Sequence, residues 1–475
     1  MNDASMQDVA LLSPELILVG AALALLLTAR RIQKAPLAVA ATVLAALAAA
    51  AASVWLWSWG DETGFGEPPM IVVDGYSQFF KVLIASALAL TALLSKSRVD
   101  EENVRPAEYH ALLLLASAGM MFAASAVDLL TLYLALELTT LCSYILVGIT
   151  VDRPRSNEAA IKYFLLASFA SALFLYGISL TYGVTGGTDF ATIASALGER
   201  GVESNPLLLA AMGLLGAGLA FKIAAVPFHA WTPDAYQGAS APVAAFLATA
   251  SKAAGLAALG RVCLVAFAPQ EQVVTVVLTG LAVLSIIVGS ITAVAQTDMK
   301  RLLAYSSIAH VGYALLGFIS MTPEGASATM TYVFLYVFMT LGAFGVVIAL
   351  GERGERLAGY QGLAAQRPGV ALLMLLFLLS LTGIPPTAGF VAKFVVILSV
   401  LGAGHAWLAV LAVVCSVVTA FVYLRVAVMM YMKEPQEPAP PRISAAVSVA
   451  LAVAALVTVI GGILPGVLTS LAVAP

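Results

Sequence analysis

Leu214-Leu-Gly-Ala-Gly-Leu-Ala-Phe-Lys222-Ile-Ala-Ala-Val-Pro227 is an apolar run with one charge near its end and a proline to close it. With the leucines and alanines before it, the run is long enough to cross a hydrocarbon core, which takes about 20 residues. A charged side chain at the centre of a bilayer costs at least about 2.5–3.5 kcal/mol, so such a residue faces the protein interior and marks an ion or proton path by default. Glu137, Lys252 and Lys393 lie in apolar runs of the same kind.

Composition agrees with a membrane solvent. Of 475 residues, 61% are hydrophobic and 10% charged, against about a quarter charged in soluble domains. Asp3 and Asp8 stand where a secretory leader would have basic residues, so the first apolar run is expected to remain as a span. A net charge of −3, spread along the chain, argues against nucleic-acid binding. Cys142, Cys263 and Cys415 are far apart, and with four scattered histidines no iron–sulfur, haem or zinc spacing exists. No cofactor is expected in this chain; any redox chemistry belongs to another subunit.

Hydropathy predicts an all-α, polytopic membrane protein of about fourteen transmembrane helices, near 11–29, 36–57, 71–95, 109–126, 128–150, 158–184, 206–228, 241–267, 273–295, 301–320, 326–350, 369–402, 404–432 and 443–470. Loop charge tests that count. Connections after odd-numbered spans carry fifteen basic residues, from Arg30 to Arg442, whereas the opposite side carries only Arg200. Basic loops face the cytoplasm, so both termini are expected outside it, with the acidic loop Asp61 to Glu67. Trp55, Trp57 and Trp59 fit an interfacial belt where the second span emerges. The connections Thr185 to Asn205, Gly351 to Arg367 and Lys433 to Arg442 are short and polar, leaving no room for a soluble domain.

Two spans are interrupted, the seventh at Pro227 and the twelfth at Thr382-Gly-Ile-Pro-Pro-Thr-Ala-Gly389. Irregular backbone at membrane depth is tolerated only where protein or a water-filled cavity satisfies it, and paired broken helices mark transporter repeats. Glu137 precedes Lys222 by 85 residues and His310 precedes Lys393 by 83. The matching offset covers five spans, an odd number, which predicts inverted repeats of spans 4–8 and 9–13. The expected units are 1–108 (helices 1–3), 109–268 (first repeat), 269–432 (second repeat) and 433–475 (helix 14). The lysine precedes the proline in the first repeat and follows it in the second, so the match is approximate.

A lysine exchanges protons at useful pH only when burial lowers its affinity for the proton, and a carboxylate nearby opposes that. Glu137 and Lys222 therefore form a switchable pair, Lys252 a receiver through water and Lys393 its counterpart in the second half. Structural ion pairing is the competing reading for all four. Lys162, a few residues inside span 6, either snorkels towards Glu158 or joins the path. His310, with Tyr305, Ser306 and Ser307, is a relay candidate or a packing histidine. His229, beside Trp231 and Asp234, either orders its loop or admits protons. Lys81, Arg261 and Arg425 read as helix anchors, and His110 and His405 carry no assigned role.

Val226-Pro-Phe-His-Ala-Trp-Thr-Pro-Asp-Ala-Tyr-Gln-Gly-Ala-Ser-Ala-Pro-Val-Ala-Ala-Phe-Leu-Ala-Thr-Ala-Ser-Lys252 resembles the signature of the antiporter-like membrane subunits of respiratory complex I, over nearly the whole chain. Thr232-Pro-Asp-Ala-Tyr236, Ser251-Lys252, Asn157-Glu-Ala-Ala-Ile-Lys-Tyr-Phe-Leu-Leu-Ala-Ser-Phe-Ala-Ser-Ala172 and Tyr305-Ser-Ser-Ile-Ala-His310 resemble subunit N among them. The absence of a long lateral helix is unlike subunit L, and lysine at 393 is unlike subunit M. The resemblance implies proton translocation in an NADH:quinone oxidoreductase, with NADH, FMN, iron–sulfur clusters and quinone held by partner subunits. It implies the antiporter-like subunits M and L, small subunits such as K and J, and membrane lipids as partners. It makes Glu137 and Lys222 the modulating pair, Lys252 the central relay, Lys393 the second half-channel site and Lys162 the additional lysine near the pair; His229 and His310 fall in family motifs. A Mrp-type sodium/proton antiporter or energy-conserving hydrogenase subunit is the alternative from the same parts, and a stand-alone solute carrier the alternative from another class.

Overall fold

The computed structural model describes residues 9–32, 34–59, 63–102, 104–200, 206–440, 443–466 and 472. The residues used to exclude a leader (Asp3, Asp8), the start of the acidic loop at Asp61 and the basic Arg442 lie outside them. Apart from a hairpin of β1 (Thr63–Phe65) and β2 (Ile71–Val73), the regular structure described is helical. The helices are α1 (Ser13–Leu27), α2 (Ala35–Trp57), α3 (Gly75–Glu101), α4 (Pro106–Ser125), α5 (Leu129–Val147), α6 (Pro154–Thr185), α7 (Phe190–Arg200), α8 (Pro206–Ile223) and α9 (Trp231–Gly238). They continue as α10 (Ala241–Ala266), α11 (Glu271–Val294), α12 (Met299–Ile319), α13 (Pro323–Ala349), α14 (Leu363–Gln366), α15 (Pro368–Thr382), α16 (Ala388–Gly402), α17 (Ala406–Met432) and α18 (Ala445–Ile463), with short 3₁₀ turns between α13 and α14.

Among the described residues, twelve helices are long and apolar enough to cross a membrane. The shorter apolar α1, α15 and α16 occupy the first and twelfth stretches marked by hydropathy. Local chemistry explains where helices start. Asp74, Asp128, Asp298 and Thr322 accept a hydrogen bond from a first-turn amide of α3, α5, α12 and α13, and proline opens α4, α6 and α15.

Burial sorts the helices into a centre and a shell. α10, α12 and α13 have 94%, 94% and 89% of their apolar windows buried, against 33% for α17 and for α18. The shell turns Val410, Val413, Val417, Phe421 and Leu424 outward, as lipid-facing helices do. The centre carries Lys252, His310 and a group of tyrosines.

Three stretches depart from the expected outline. α8 stops at Ile223, ahead of Pro227, because Ala224 turns left-handed with φ +58°. Span eight is not a uniform α-helix: π-type turns occupy Leu247–Ser251, directly before Lys252, and Val262–Ala266. The connection from Thr185 contains α7, whose Phe190, Ile193 and Leu197 are buried; its apolar side docks, so it is not a plain polar loop.

Arg261 illustrates how a buried charge ties distant segments together. Its two guanidinium amines reach the two Asp74 oxygens at 2.7 and 2.9 Å, and its Nε donates to the Ala124 carbonyl at 3.3 Å. Tyr76 lies beneath it at 4.8 Å. Burial pushes the Asp74 carboxyl up, but the charge and hydrogen bonds of Arg261, with the Ser77 amide, outweigh it and hold the group below its ordinary value. Asp74→Ala is expected to cost about 3–5 kcal/mol by leaving Arg261 buried and unpaired, read as a lower unfolding temperature of the purified protein. A carboxyl whose folded value is depressed stabilises fully above its ordinary value and loses that contribution as pH falls through the folded value. The wild-type protein should therefore lose stability below about pH 4, and Asp74→Asn should flatten that part of the profile.

Candidate functional site

The seventh span breaks between α8 and α9, and side chains satisfy the freed backbone. The Val226 amide donates to Ser285 at 2.9 Å, and the Trp231 indole donates to the Phe221 carbonyl at 3.0 Å. This leaves Lys222 in the last turn of α8, with its side chain largely buried. Its ammonium donates to the Thr140 hydroxyl and lies 3.5 Å from Glu137 Oε1. Ser171 of α6 donates to the same carboxylate oxygen. Glu137 and Thr140 are one turn apart on α5, so one face of that helix presents both a charged and a neutral partner to Lys222.

Lys252 is 1% exposed and donates to Ser307 at 2.8 Å. Ser307 in turn donates to the Ala304 carbonyl at 2.7 Å. His310 lies one turn further along α12, its Nδ1 2.6 Å from the Tyr332 hydroxyl and its ring 5.2 Å from that of Tyr336. Tyr336 donates to the Ala248 carbonyl, in the π-type turn before Lys252. The interruption in α10 thus meets α13 beside the lysine.

The second break places Lys393. Gly383 ends α15 in a left-handed turn, with φ +90°. The Thr382 carbonyl, freed by that turn, accepts from Lys393 at 2.8 Å and from Ser416 at 3.1 Å, while Lys393 also donates to Ser416 at 2.8 Å. The ammonium lies 4.6 Å from the centre of the Tyr313 ring, which is itself 6.1 Å from the His310 ring. Lys252 and Lys393 have no carboxylate within salt-bridge distance among the described residues; their partners are neutral oxygens, which accept from an ammonium or an amine alike.

Lys162 does not meet Glu137. It is half-exposed and pairs with Glu158 at 2.7 Å and Asp234 at 3.3 Å. Asp234 also takes Arg301 at 2.6 Å, linking α6, α9 and α12. Burial pushes the Asp234 carboxyl up, yet the hydrogen bonds from Arg301 and Lys162 hold it below its ordinary value. His229 sits in the turn before α9, its Nδ1 buried without a hydrogen-bond partner among the described residues. No hydrogen bond joins Lys222 to Lys252 among the described residues.

The anchors resolve individually. Arg425 donates to the Val294 and Gln296 carbonyls at the end of α11. Lys81 forms a wholly buried pair with Glu15 at 2.7 Å, a partner that sequence reading missed. The hydroxyl partners Thr140, Ser171 and Ser416 were missed as well, and Ser307 was read as a neighbour of His310, not as the partner of Lys252. Only Thr140, one turn from Glu137, carried a local signal.

The family model for NADH:quinone oxidoreductase/Mrp antiporter transmembrane proteins matches residues 126–419. NADH-quinone oxidoreductase subunit N of Desulfovibrio desulfuricans is 44% identical over 455 residues, covering 91% of this chain and 89% of that protein. Subunit N 2 of Rhizobium meliloti is 43% identical, covering 85% and 84%. The chain belongs to the NADH-quinone oxidoreductase subunit N family. A chain in a structure of respiratory complex I from Thermus thermophilus superposes on this subunit N family member with a TM-score of 0.82 at 37% identity, covering 97% of it and 100% of that chain. A chain of the Mrp complex from a Dietzia species superposes with a TM-score of 0.87 at 23% identity, covering 97% and 96%, a likeness of fold alone.

Gly383→Ala should be costly at the second break. A left-handed turn costs a non-glycine residue about 1–2 kcal/mol, and an added Cβ would lie 2.9 Å from Lys393 Cδ. The unfolding temperature of the purified protein should fall, whereas Gly402→Ala, which meets open space, should leave it unchanged.

Proposed function

We infer that this chain is the proton-translocating membrane subunit of an NADH:quinone oxidoreductase, moving protons through buried lysines while electrons pass from NADH to quinone in other subunits. The observation that carries this reading is the Lys222–Glu137 contact, 3.5 Å inside an apolar helix bundle, in a chain 44% identical to a subunit N over 91% of its length.

On this reading Lys222, Lys252 and Lys393 hold the proton in turn. A carboxylate within a few ångströms stabilises an ammonium by Coulomb attraction, most strongly where water is scarce. Glu137 against Lys222 keeps the proton in place; a move of Glu137 away from Lys222, held by Ser171 alone, leaves Lys222 with the neutral Thr140 hydroxyl and frees the proton to move on. His310, one turn from the Ser307 that receives Lys252, and in ring contact with the Tyr313 beneath Lys393, is the relay between halves. His229 and Lys162 belong to the entry side.

The expected fourteen spans, the inverted repeats at 109–268 and 269–432, the periplasmic termini and the bacterial inner membrane are part of the same proposal. They are supported by the loop charge asymmetry and by the paired breaks at Ile223 and Gly383. Subunits M, L, K and J are the proposed neighbours, and NADH, FMN, iron–sulfur clusters and quinone are placed in partner subunits. The Mrp alternative rests on the shared family model and on a likeness of fold at 23% identity.

Proton pumping and quinone reduction measured together in membranes carrying Glu137→Gln, Lys222→Ala or Lys393→Ala test the mechanism. Each variant should assemble, and pumping should fall at least about tenfold, the effect of about 1.4 kcal/mol on a rate. Undiminished pumping per electron and undiminished turnover in all three would sink the reading.

A further inference from the structure

The aqueous end of the path to Lys222 is the question left by a lysine so deeply set. Where α6 meets α9, a cavity of about 220 Å³ is lined by Arg155, Glu158, Lys162, Asp234 and Gln237. Lys162 is half-exposed in this cavity, yet the next residue, Tyr163, is 4% exposed. The Tyr163 ring stacks on Trp231 at 4.4 Å and 13°. Trp231, 2% exposed, is bonded to the carbonyl of Phe221, the residue before Lys222. The two rings thus join the residue after Lys162 to the residue before Lys222.

Hydroxyl groups run past this aromatic pair. Tyr163 of α6 packs against Tyr144 of α5, and the residue before Tyr144, Ser143, is fully buried and donates to the Thr139 carbonyl at 2.7 Å. Thr140, one turn back, is the acceptor of Lys222, and Glu137 is one turn further still. Residues spaced by three share a helix face with Cβ atoms about 5–6 Å apart, a gap that one water molecule bridges. Tyr144 meets the Tyr163 ring edge-on at 4.9 Å, and its own buried hydroxyl has no hydrogen-bond partner among the described residues. A buried hydroxyl without a partner is costly for folding and calls for another explanation, such as an ordered water.

We propose that protons reach Lys222 from the Lys162–Asp234 cavity through the Tyr163 hydroxyl and then along Ser143 and Thr140 on α5, with the Tyr163–Trp231 stack barring bulk water. This rests on the proton-translocating reading above and adds its input route. Each hydroxyl oxygen takes a proton from the cavity side as its own O–H proton passes to the next oxygen. The last proton arrives on the lysine amine, no hydroxyl is left charged, and nothing is oxidised or reduced. Tyr163 and Ser143 act on the proton itself; Trp231 is a positioning residue.

The assembled enzyme in native membranes tests the route. Tyr163→Phe keeps the ring and its stack and removes only the hydroxyl, and Ser143→Ala removes the next oxygen. Each should leave the amount of assembled complex unchanged, lower pumping and coupled turnover by about tenfold and enlarge the slowing seen in deuterated water. Wild-type pumping in both, alongside loss in Lys222→Ala, overturns the route and leaves the translocating function standing. Wild-type pumping in Lys222→Ala overturns the function beneath it. Should Tyr163→Phe fail to assemble, Thr140→Ser against Thr140→Val decides: pumping kept by the first and lost by the second supports the route, and equal pumping overturns it.

Discussion

A charge removed from water must be compensated inside its own molecule, and the central helices are arranged around that need. Unpaired burial of an ammonium costs several kcal/mol, while total stability of a folded domain is of the same order. The protein meets the requirement in two ways. Arg261 lies against Asp74, Lys81 against Glu15, and Arg425 against carbonyls at a helix end; these charges tie segments together. Lys252 and Lys393 are instead held by hydroxyl and carbonyl oxygens, and Lys222 by one carboxylate and one hydroxyl. The second group has the ligands that a changing protonation state requires.

Backbone irregularity serves the same end. Where α15 stops at Gly383, the freed Thr382 carbonyl becomes a ligand of Lys393. Where α8 stops at Ile223, the Phe221 carbonyl accepts both the Ala224 amide and the Trp231 indole, and Lys222 takes its partners from α5. The π-type turn before Lys252 accepts Tyr336 through the Ala248 carbonyl. A regular helix has no spare carbonyl in its interior to offer. The breaks therefore supply polar contacts at depths where lipid supplies none.

Much of the fold could be read from hydropathy, because crossing a bilayer demands a local run of apolar residues. The two proline- and glycine-marked interruptions were visible for the same reason. The end of α8 at Ile223 was not, since it depends on a left-handed alanine that no local composition announces. The π-type turns of α10 were equally hidden, being a packing response inside an alanine-rich helix. Among the site residues, Glu137 and Lys222 were singled out as charges in apolar runs, and they lie 3.5 Å apart. Lys162 shows the limit: its position suggested snorkelling or a contact with Glu158 and the resemblance a place near the pair, and it is held in the surface cluster by Glu158 at 2.7 Å and by Asp234 of α9 at 3.3 Å.

What the amino-acid sequence by itself determined is the solvent of this protein, the approximate course of its spans and which charges are too expensive to be incidental. Hydropathy and charge cost are properties of a residue and its near neighbours, so they are legible along the chain. The tertiary structure decided which groups compensate those charges. Lys222 closes on the Glu137 already expected for it, across 85 residues, while Lys252 finds Ser307 across 55 and Arg261 finds Asp74 across 187, partners the sequence did not name for them. Hydrogen bonds act over about 3 Å of space regardless of separation in sequence, and only the packed helices bring those pairs within that reach.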